Sequence, residues 1–446
     1  MEPRQKTALL LIIAIAATGG IVGGVMYVVL APPAPEDTIE IYHWWTSGGE
    51  ADAIEALIGV YEGLYPDTVV QSLSIAGGAG YAMRVKIKTL MLAGQPPDTF
   101  QIHAGYEWKI FYEAGLLDNI DHIWTQELKD VIPDVIEDIN KGPDGHYYSV
   151  PVNIHRSNVV WFNYEVLTDT GIDPATLTTW PAFWAACDAI IANPNYTITE
   201  PVAMGAQWTA AHAFEQILAS VGIDVYEDWI NGDIDSGTAT HYPELVEALE
   251  IYDNLTNYIN TDWAVLNWDS AIAKLIGTPT AAFAIMGDWA NGEFLHAGYG
   301  YNVEYGTIPV PGTDNMYGLV VDCFEKPKNI DHPTQVDRWL GVVSSKDGQD
   351  AFNPLKGSIA ARTDANLAEY GAYQQAAIGD FTSATYMFPS VVHGSGAPEG
   401  FNDGLGPLIG ALTAGSADVS TTAAAIAALA VTHSTSFTRV WDLDGV

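Results

Sequence analysis

The sequence predicts an α/β protein of two lobes, preceded by an N-terminal transmembrane helix. Three observations lead to this prediction. The chain has 446 residues, which is too many for one typical domain. Strand and helix patterns alternate three times between residues 39 and 115, which indicates a βαβαβ unit with a parallel sheet. An uncharged run of 24 residues occupies positions 8–31, near the N-terminus.

The uncharged run predicts a membrane anchor. At ~1.5 Å per residue, a helix of this length spans a hydrocarbon core of ~30 Å. Arg4 and Lys6 precede the run and an acidic body follows it, which predicts an N-terminus inside and a body outside the cell. A cleaved signal peptide is the alternative, but its apolar region usually has only ~7–15 residues. Residues 1–31 are therefore predicted to be the anchor, and the Pro-rich residues 32–38 a stiff tether.

The composition of the body excludes some classes of function. The formal net charge is −38, with only 17 Lys and Arg residues, so the surface repels nucleic acid. Apolar residues make up 48% of the chain, which indicates a sizeable core. Cys187 and Cys323 have neither disulfide-framework nor metal-ligand spacing, and two buried thiols are the simpler interpretation. Common cofactor and nucleophile signatures are missing, so we expect no cofactor and no metal.

The periodicity of apolar residues places the elements of the first lobe. Residues 39–43, 68–75 and 98–105 read as strands because apolar residues alternate or cluster there. Helical spacing of apolar residues follows each strand, at about 54–65, 81–93 and 107–115.

The second lobe is predicted to be rich in helices. Strands are expected at 147–152, 158–163 and 318–324, and a strand with a turn at 305–315. Helices are expected at 180–192, 210–221, 242–259, 271–276, around 336–340 and at 423–430. We predict that residues 39–150 with 317–355 form the first lobe, and residues 151–316 with 356–446 the second.

Candidate site residues follow the predicted strands. Ligands of open α/β sheets bind outside the carboxyl ends of the strands, where Trp44 and Trp45 lie in "IYHWWTSGGE" (41–50). Gln101 and His103 end the third strand and, being two apart, point to one face. Glu50 fits a capping box with Ser47, and a capping carboxylate can also bind a hydroxyl group. Packing without a ligand is the alternative for each of these side chains.

Three later segments are predicted to be loops that approach a ligand. They are "MGDWANG" (286–292), "NPLKGSI" (353–359) and "VVHGSG" (391–396), and each sets a polar or aromatic side chain against glycine or proline. Aromatic plates with hydrogen-bonding groups suit a sugar, because a pyranose has an apolar C–H face and a rim of hydroxyls.

The segments that contain "IYHWWTSGGE", "MGDWANG" and "NPLKGSI", together with "IKTLMLAGQPPDTFQIHAGYE" (87–107), resemble the extracytoplasmic sugar-binding proteins of ABC transporters, in the glucose/galactose- and glucoside-binding branch. The resemblance covers nearly all of the chain after residue 38. It implies a periplasmic-binding-protein-like fold that closes its two lobes on a ligand cleft. It implies a membrane permease with a cytoplasmic ATPase as partners. The site residues that it implies are Trp44, Trp45, Glu50, Gln101, His103, Asp288, Lys356 and His393, with Trp268 and Trp289 as further candidates; Trp208 is less firmly placed.

The sequence thus predicts a binding protein, not an enzyme, that is anchored on the outer face of the membrane and captures a mono- or small oligosaccharide. A glucose-like hexose is the first expectation. The alternative is a surface-anchored glycoside hydrolase or lectin that uses paired carboxylates. The departure from many relatives is the N-terminal span, which has no cysteine and is typical of tethered archaeal forms.

Overall fold

The computed structural model of the chain describes residues 38–46, 48–234, 240–434 and 441–442. The predicted anchor and all of the predicted tether except Thr38 lie outside these residues. Thr38 itself begins the first strand, so the tether was predicted one residue too long. Within the described ranges, no helix combines the length and the apolar character that crossing a bilayer requires.

The strands are short and are spread along the described chain. They are β1 (Thr38–His43), β2 (Val69–Ser74), β3 (Thr99–His103), β4 (Ser149–Pro151), β5 (His155–Arg156), β6 (Val159–Asn163), β7 (Val202–Ala203), β8 (Phe283–Ile285), β9 (Tyr305–Pro309), β10 (Met316–Val320), β11 (Asp322–Glu325), β12 (Tyr386–Pro389) and β13 (Trp441–Asp442).

Helices make up most of the remaining structure. They are α1 (Gly48–Leu64), α2 (Tyr81–Leu92), α3 (Tyr106–Glu113), α4 (Gln126–Lys129), α5 (Asp134–Ile139), α6 (Tyr164–Thr170), α7 (Trp180–Ala192), α8 (Gln207–Val221), α9 (Ile223–Asn231), α10 (Tyr242–Leu255), α11 (Trp268–Ala273), α12 (Ala290–His296), α13 (Pro333–Val343), α14 (Lys346–Lys356), α15 (Ala372–Ser383), α16 (Glu399–Thr413) and α17 (Val419–His433).

The first sheet has five strands in the order β2-β1-β3-β11-β4. β1 pairs in parallel with both β2 and β3, so the predicted βαβαβ unit is confirmed. Ile39 and Ile41 of β1 are fully buried, and α1 covers them with the face that carries Ile54, Leu57 and Tyr61. The opposite, polar face of α1 stays exposed, as the 3.6-residue period requires.

Two further sheets of four strands lie beyond the first, in the orders β13-β12-β10-β5 and β7-β8-β6-β9. The helices α8, α10, α16 and α17 pack together and bury a second apolar cluster, separate from the cluster around the first sheet. The long helix-rich stretch predicted from the sequence therefore forms a core of its own.

The chain crosses between the sheets at two close points. Residues 152–154 lead from β4 in the first sheet to β5, and Val321 joins β10 to β11. The single strand predicted at 318–324 is therefore wrong: it is two strands in different sheets. Residue 317, where the return to the first lobe is predicted, lies in β10, which pairs with β5 and β12. An unbroken apolar run gives no signal for a change of sheet at Val321.

A second correction concerns "NPLKGSI". The sequence predicts a loop from residue 353, but Asn353 to Lys356 form the last turn of α14, with Pro354 inside it. Gly357 ends the helix in the left-handed conformation, at a φ of 92°. Lys356 is consequently held by a helix, which fixes the direction of its side chain.

Candidate functional site

The predicted site residues surround a cavity of about 280 Å³ that opens between the first sheet and the helical lobe. Trp44 follows β1, Gly77 follows β2, and His103 ends β3, so three carboxyl ends of parallel strands contribute. The residues that line the cavity are Trp44, Trp45, Thr46, Glu50, Ala76, Gly77, Gly78, Ala79, His103, His155, Trp208, Asn267, Trp268, Asp269, Trp289, Val320, Asp322, Lys356 and His393.

The two adjacent tryptophans have different environments. Trp44 is half-buried and lies against the ring of His103, with 4.8 Å between ring centroids. Trp45 is only 1% exposed and packs on Phe352 and Phe324 at centroid distances of 4.9 and 5.9 Å. Both line the cavity, but Trp45 is mainly a core residue, which is the alternative that its sequence position left open.

His103 is held by a buried ionic chain. Its Nδ1 lies 2.8 Å from Oε2 of Glu107, whose Oε1 lies 2.6 Å from Nη1 of Arg84. Burial alone would raise the pKa of Glu107, but the charges of Arg84 and His103 and the hydrogen bonds from His103 outweigh it and lower that pKa. The ionised carboxylate favours a proton on Nδ1 of His103. The orientation of the His103 ring in the cavity wall is thereby fixed.

Gln101 lies behind the wall and does not line the cavity. Its side-chain Nε2 donates to Oδ1 of Asp322 at 2.8 Å, and its Oε1 accepts from the backbone N–H of Trp44 at 3.1 Å. Gln101 therefore connects the backbone of Trp44 to Asp322, which does line the cavity. The prediction that Gln101 and His103 share a face holds, because both side chains reach Asp322.

Asp288 also lies behind the wall, fully buried. It accepts a hydrogen bond from Nδ1 of His155, whose Nε2 lies 3.4 Å from Oδ2 of Asp322. Burial and Lys356 lower the pKa of His155, but the two aspartates outweigh them, so the pKa is raised. Burial would raise the pKa of Asp322, but His155 and Lys356 hold it well below its usual range. His155 therefore lies between two carboxylates that favour its protonated form.

Glu50 and Lys356 form a second buried ion pair at the cavity. Nζ of Lys356 lies 2.8 Å from Oε1 of Glu50, and both side chains are buried. Burial raises the pKa of Glu50, and Lys356 opposes that shift. The capping-box interpretation of Glu50 depends on Ser47, which lies outside the described residues. The contact that the structure adds is an ion pair between α1 and α14.

The opposite wall is aromatic and comes from the helical lobe. Trp208 lies in α8, Trp268 begins α11, and Trp289 immediately precedes α12. The ring of His393 lies between two of them, 4.8 Å from Trp289 and 5.8 Å from Trp208. Trp44 on the first lobe and these rings on the second therefore face the same cavity.

The hydrogen bonds around His393 indicate its tautomer. When Glu215 is ionised, the hydroxyl of Ser390 donates to its Oε2 at 2.8 Å and therefore accepts from Nδ1 of His393 at 2.9 Å. Nε2 of His393 is then an acceptor, and it has no hydrogen-bond partner within the described part of the chain. Burial, and next the neighbouring His212, lower the pKa of His393 well below its usual value, so its ring is neutral.

Within the described ranges, one group of potential metal ligands lies beside the cavity. His212, Glu215 and His393 carry ligand atoms within 4.8 Å of one another. The oxygens of Glu215 already accept hydrogen bonds from the hydroxyl of Tyr226 and that of Ser390. A metal would have to displace these donors, so the contacts of Glu215 are those of a residue that positions the loop of His393.

Several lining residues were not predicted from the sequence. They are His155, Asn267, Asp269 and Asp322, as well as Trp208, which was left less firmly placed. Asp322 did have a signal: it is an acidic residue within a run of apolar strand residues, and a buried charge requires a partner. His155 and Asp269 had none, because no short motif contains them.

The cavity offers an aromatic surface on each wall and, between these surfaces, ion-paired and neutral hydrogen-bonding groups. This arrangement defines a site for a small polar molecule with apolar faces. The chain belongs to the family of bacterial extracellular solute-binding proteins, whose profile matches residues 46–350.

Individual relatives agree with the family. The chain is 39% identical over 408 residues to an uncharacterized ABC transporter extracellular-binding protein of Pyrococcus horikoshii, covering 90% of each chain. It is 31% identical to a probable sugar-binding periplasmic protein of Rhizobium meliloti, covering 84% of this chain and 89% of that one. The fold is similar to that of the bacterial solute receptor AcbH, with a TM-score of 0.75 and 16% identity, over 89% of this chain and 97% of that one. The predicted two-lobe fold and the family are thereby confirmed.

Proposed function

We propose that this protein is the sugar-binding component of an ABC importer, and that it captures a mono- or small oligosaccharide, with a glucose-like hexose as the first expectation. The observation that carries the proposal is the pairing of Trp44 with Trp208, Trp268 and Trp289 across one cavity. A sugar ring can present its two C–H faces to such walls while its rim of hydroxyls meets polar groups.

The polar groups of the cavity match that rim. Nε2 of His393 is a neutral acceptor without a partner among the described residues, and a sugar hydroxyl can donate to it. The Glu50–Lys356 pair supplies a charged acceptor and a charged donor at a second position. Relatives support a sugar as the ligand class, including a probable sugar-binding protein and a receptor described as preferring β-D-galactopyranose.

A panel of sugars tests the proposal. Purified residues 38–446 are mixed with hexoses, pentoses, disaccharides and trisaccharides, and unfolding is followed by a thermal shift. A true ligand at 100 times its Kd should add about 2.7 kcal/mol of stability. Chromatography of the recovered sugar then separates a binder from a hydrolase, since a binder returns the sugar unchanged. Cleavage products that appear in proportion to protein would overturn the proposal in favour of a glycoside hydrolase.

We further propose that binding closes the two lobes and that the closed form is the one recognised by the permease. A ligand can contact both walls only when the cleft is closed. It therefore binds the closed state more tightly than the open state and shifts the equilibrium towards closure. Small-angle scattering should give a smaller radius of gyration after addition of a binding sugar. An unchanged radius with a sugar shown to bind would contradict closure.

Anchoring by residues 8–31 is a separate proposal. It is supported by the absence of charge over 24 residues and by Arg4 and Lys6 in front of them. Full-length protein should sediment with membranes and resist a carbonate wash. N-terminal sequencing that begins near residue 31 would show cleavage and disprove the anchor.

A further inference from the structure

The loop between β2 and α2 has an unusual backbone. Four successive residues have positive φ angles: 144° at Gly77, 23° at Gly78, 45° at Ala79 and 79° at Gly80. Gly80 needs its lack of a side chain, because a Cβ there would lie 2.4 Å from Cε3 of Trp44. Ala79 adopts a left-handed conformation that costs a non-glycine residue energy. The loop is thus bent tightly around the edge of the Trp44 ring.

The same loop reaches the opposite wall of the cavity. A Cβ on Gly78 would lie 3.6 Å from Cδ1 of Trp208, which is van der Waals contact. Gly78 and Trp208 both line the cavity but belong to different lobes. The loop and Trp208 therefore meet across this end of the cavity.

The loop is also tied down. The carbonyl oxygen of Ala79 accepts a hydrogen bond of 2.6 Å from Nη1 of Arg84, which is 3% exposed. The same guanidinium pairs with Glu107, and Glu107 holds His103 in the cavity wall. Displacing the loop would break a bond to a charged donor that also orders the site, so the loop is not free to swing aside.

We propose that the loop of Gly77–Gly80 (the glycine loop) and Trp208 together block extension of the ligand, so that the site takes a single sugar ring. The inference rests on the proposed function, and it narrows a mono- or small oligosaccharide to a monosaccharide. The cavity volume of about 280 Å³ agrees, since it lies just below the ~300–1,000 Å³ of small-molecule sites. A second ring would have to occupy the space of the glycine loop or of the indole of Trp208.

Calorimetry with sugars of increasing length tests this. The wild-type protein is titrated with glucose, galactose, mannose, xylose and arabinose, and then with maltose, cellobiose and raffinose. We expect at least one monosaccharide to bind roughly 100-fold more tightly than any of the longer sugars. Trp208→Ala should reduce that ratio at least about tenfold through tighter binding of the longer sugars, because it makes room for a second ring; a ratio that falls only because the monosaccharide binds more weakly would count against the inference. Trp208→Leu is the fallback if the alanine variant does not fold, as judged by circular dichroism.

A matched control is Trp184→Ala. Trp184 is a half-buried tryptophan of α7 that stacks on Tyr258 at 5.4 Å and does not line the cavity, so the ratio should not change. A wild-type protein that binds raffinose or maltose as tightly as any monosaccharide would overturn the inference and leave the proposed function standing. An unchanged ratio in both folded Trp208 variants would overturn it as well. Binding of no sugar at all would instead remove the proposed function.

Discussion

Replacing Trp44 and Trp45 in turn should separate ligand binding from stability. Trp45→Ala removes an indole that is 1% exposed and packed on Phe324 and Phe352. A buried Trp→Ala change costs about 3–5 kcal/mol. At roughly 2 °C per kcal/mol for a chain of this size, the melting temperature should fall by about 6–10 °C. Lys356, whose ammonium lies 5.9 Å from the Trp45 ring, would also lose a neighbour.

Trp44→Ala should do the reverse. Trp44 is half-buried, its ring borders the cavity, and its protein contacts are His103 and Gly80. Losing a stacked aromatic from a binding site costs about 1–3 kcal/mol, so the Kd should rise about 5- to 150-fold with little change in melting temperature.

Calorimetric titration and urea unfolding on the same samples measure both effects. Trp124→Ala is the control for Trp45, because Trp124 is 2% exposed, stacks on Tyr147 at 4.4 Å and does not line the cavity. It should lose stability and keep its affinity. A Trp45→Ala variant of normal stability that fails to bind, or a Trp44→Ala variant of normal affinity, would refute the division of roles.

Three further outcomes follow from the buried groups. Lys356→Met should lower the free energy of unfolding in urea by about 3–5 kcal/mol, because it leaves the buried Glu50 without its ion-pair partner. The double variant with Glu50→Gln should recover most of that loss. Equal losses in the single and double variants would contradict the ion pair between Glu50 and Lys356. Burial raises the pKa of Glu215 from 4.5 to about 7. The stability from this group is therefore full below pH 4.5 and is lost as the pH rises through 7, by roughly 3 kcal/mol. Glu215→Gln should flatten the curve of stability against pH between about pH 4.5 and 7. A variant whose curve runs parallel to that of the wild type would contradict the raised pKa of Glu215. Gly105→Ala should destabilise the protein, since its Cβ would lie 2.4 Å from the carbonyl oxygen of Ser395 and its φ is 103°; an unchanged melting temperature would show that this contact yields easily.

Local patterns were enough to predict the first lobe. The period of two in β1 and the helical spacing in α1 both depend on near neighbours in sequence, so the βαβαβ unit and its strand ends could be read directly. Because ligands bind at the carboxyl ends of parallel strands, the order of these elements was enough to predict that Trp44 and His103 lie at the site.

The rest of the site depends on contacts between distant segments. Asp322 meets His155 and Gln101 only because β11 returns to the first sheet, and nothing in the apolar run 318–324 marks the change of sheet at Val321. The helix that carries Lys356 was hidden by Pro354, which reads as a loop signal although the last helical turn tolerates it here. Glu50 was read as a capping residue because Ser47 is close to it in sequence, whereas its ion-pair partner Lys356 lies 306 positions away.

The contacts across the cleft bear on the lobe closure proposed above. Arg84 of α2 joins Ala79 and Glu107 on the first lobe and lies 3.7 Å from Glu399 of α16, and Lys88 also pairs with Glu399. Glu399 and Lys88 are partly exposed, and ion pairs of that kind contribute only about 0–1 kcal/mol each. Such contacts can set the geometry of closure without making it irreversible. The larger contribution must then come from a ligand that touches both walls, because a ligand shifts an equilibrium only by its difference in affinity between the two states. The buried pairs of Glu50 with Lys356 and of His155 with Asp288 and Asp322 hold the cavity walls in place, whereas the partly exposed pairs of Glu399 contribute less.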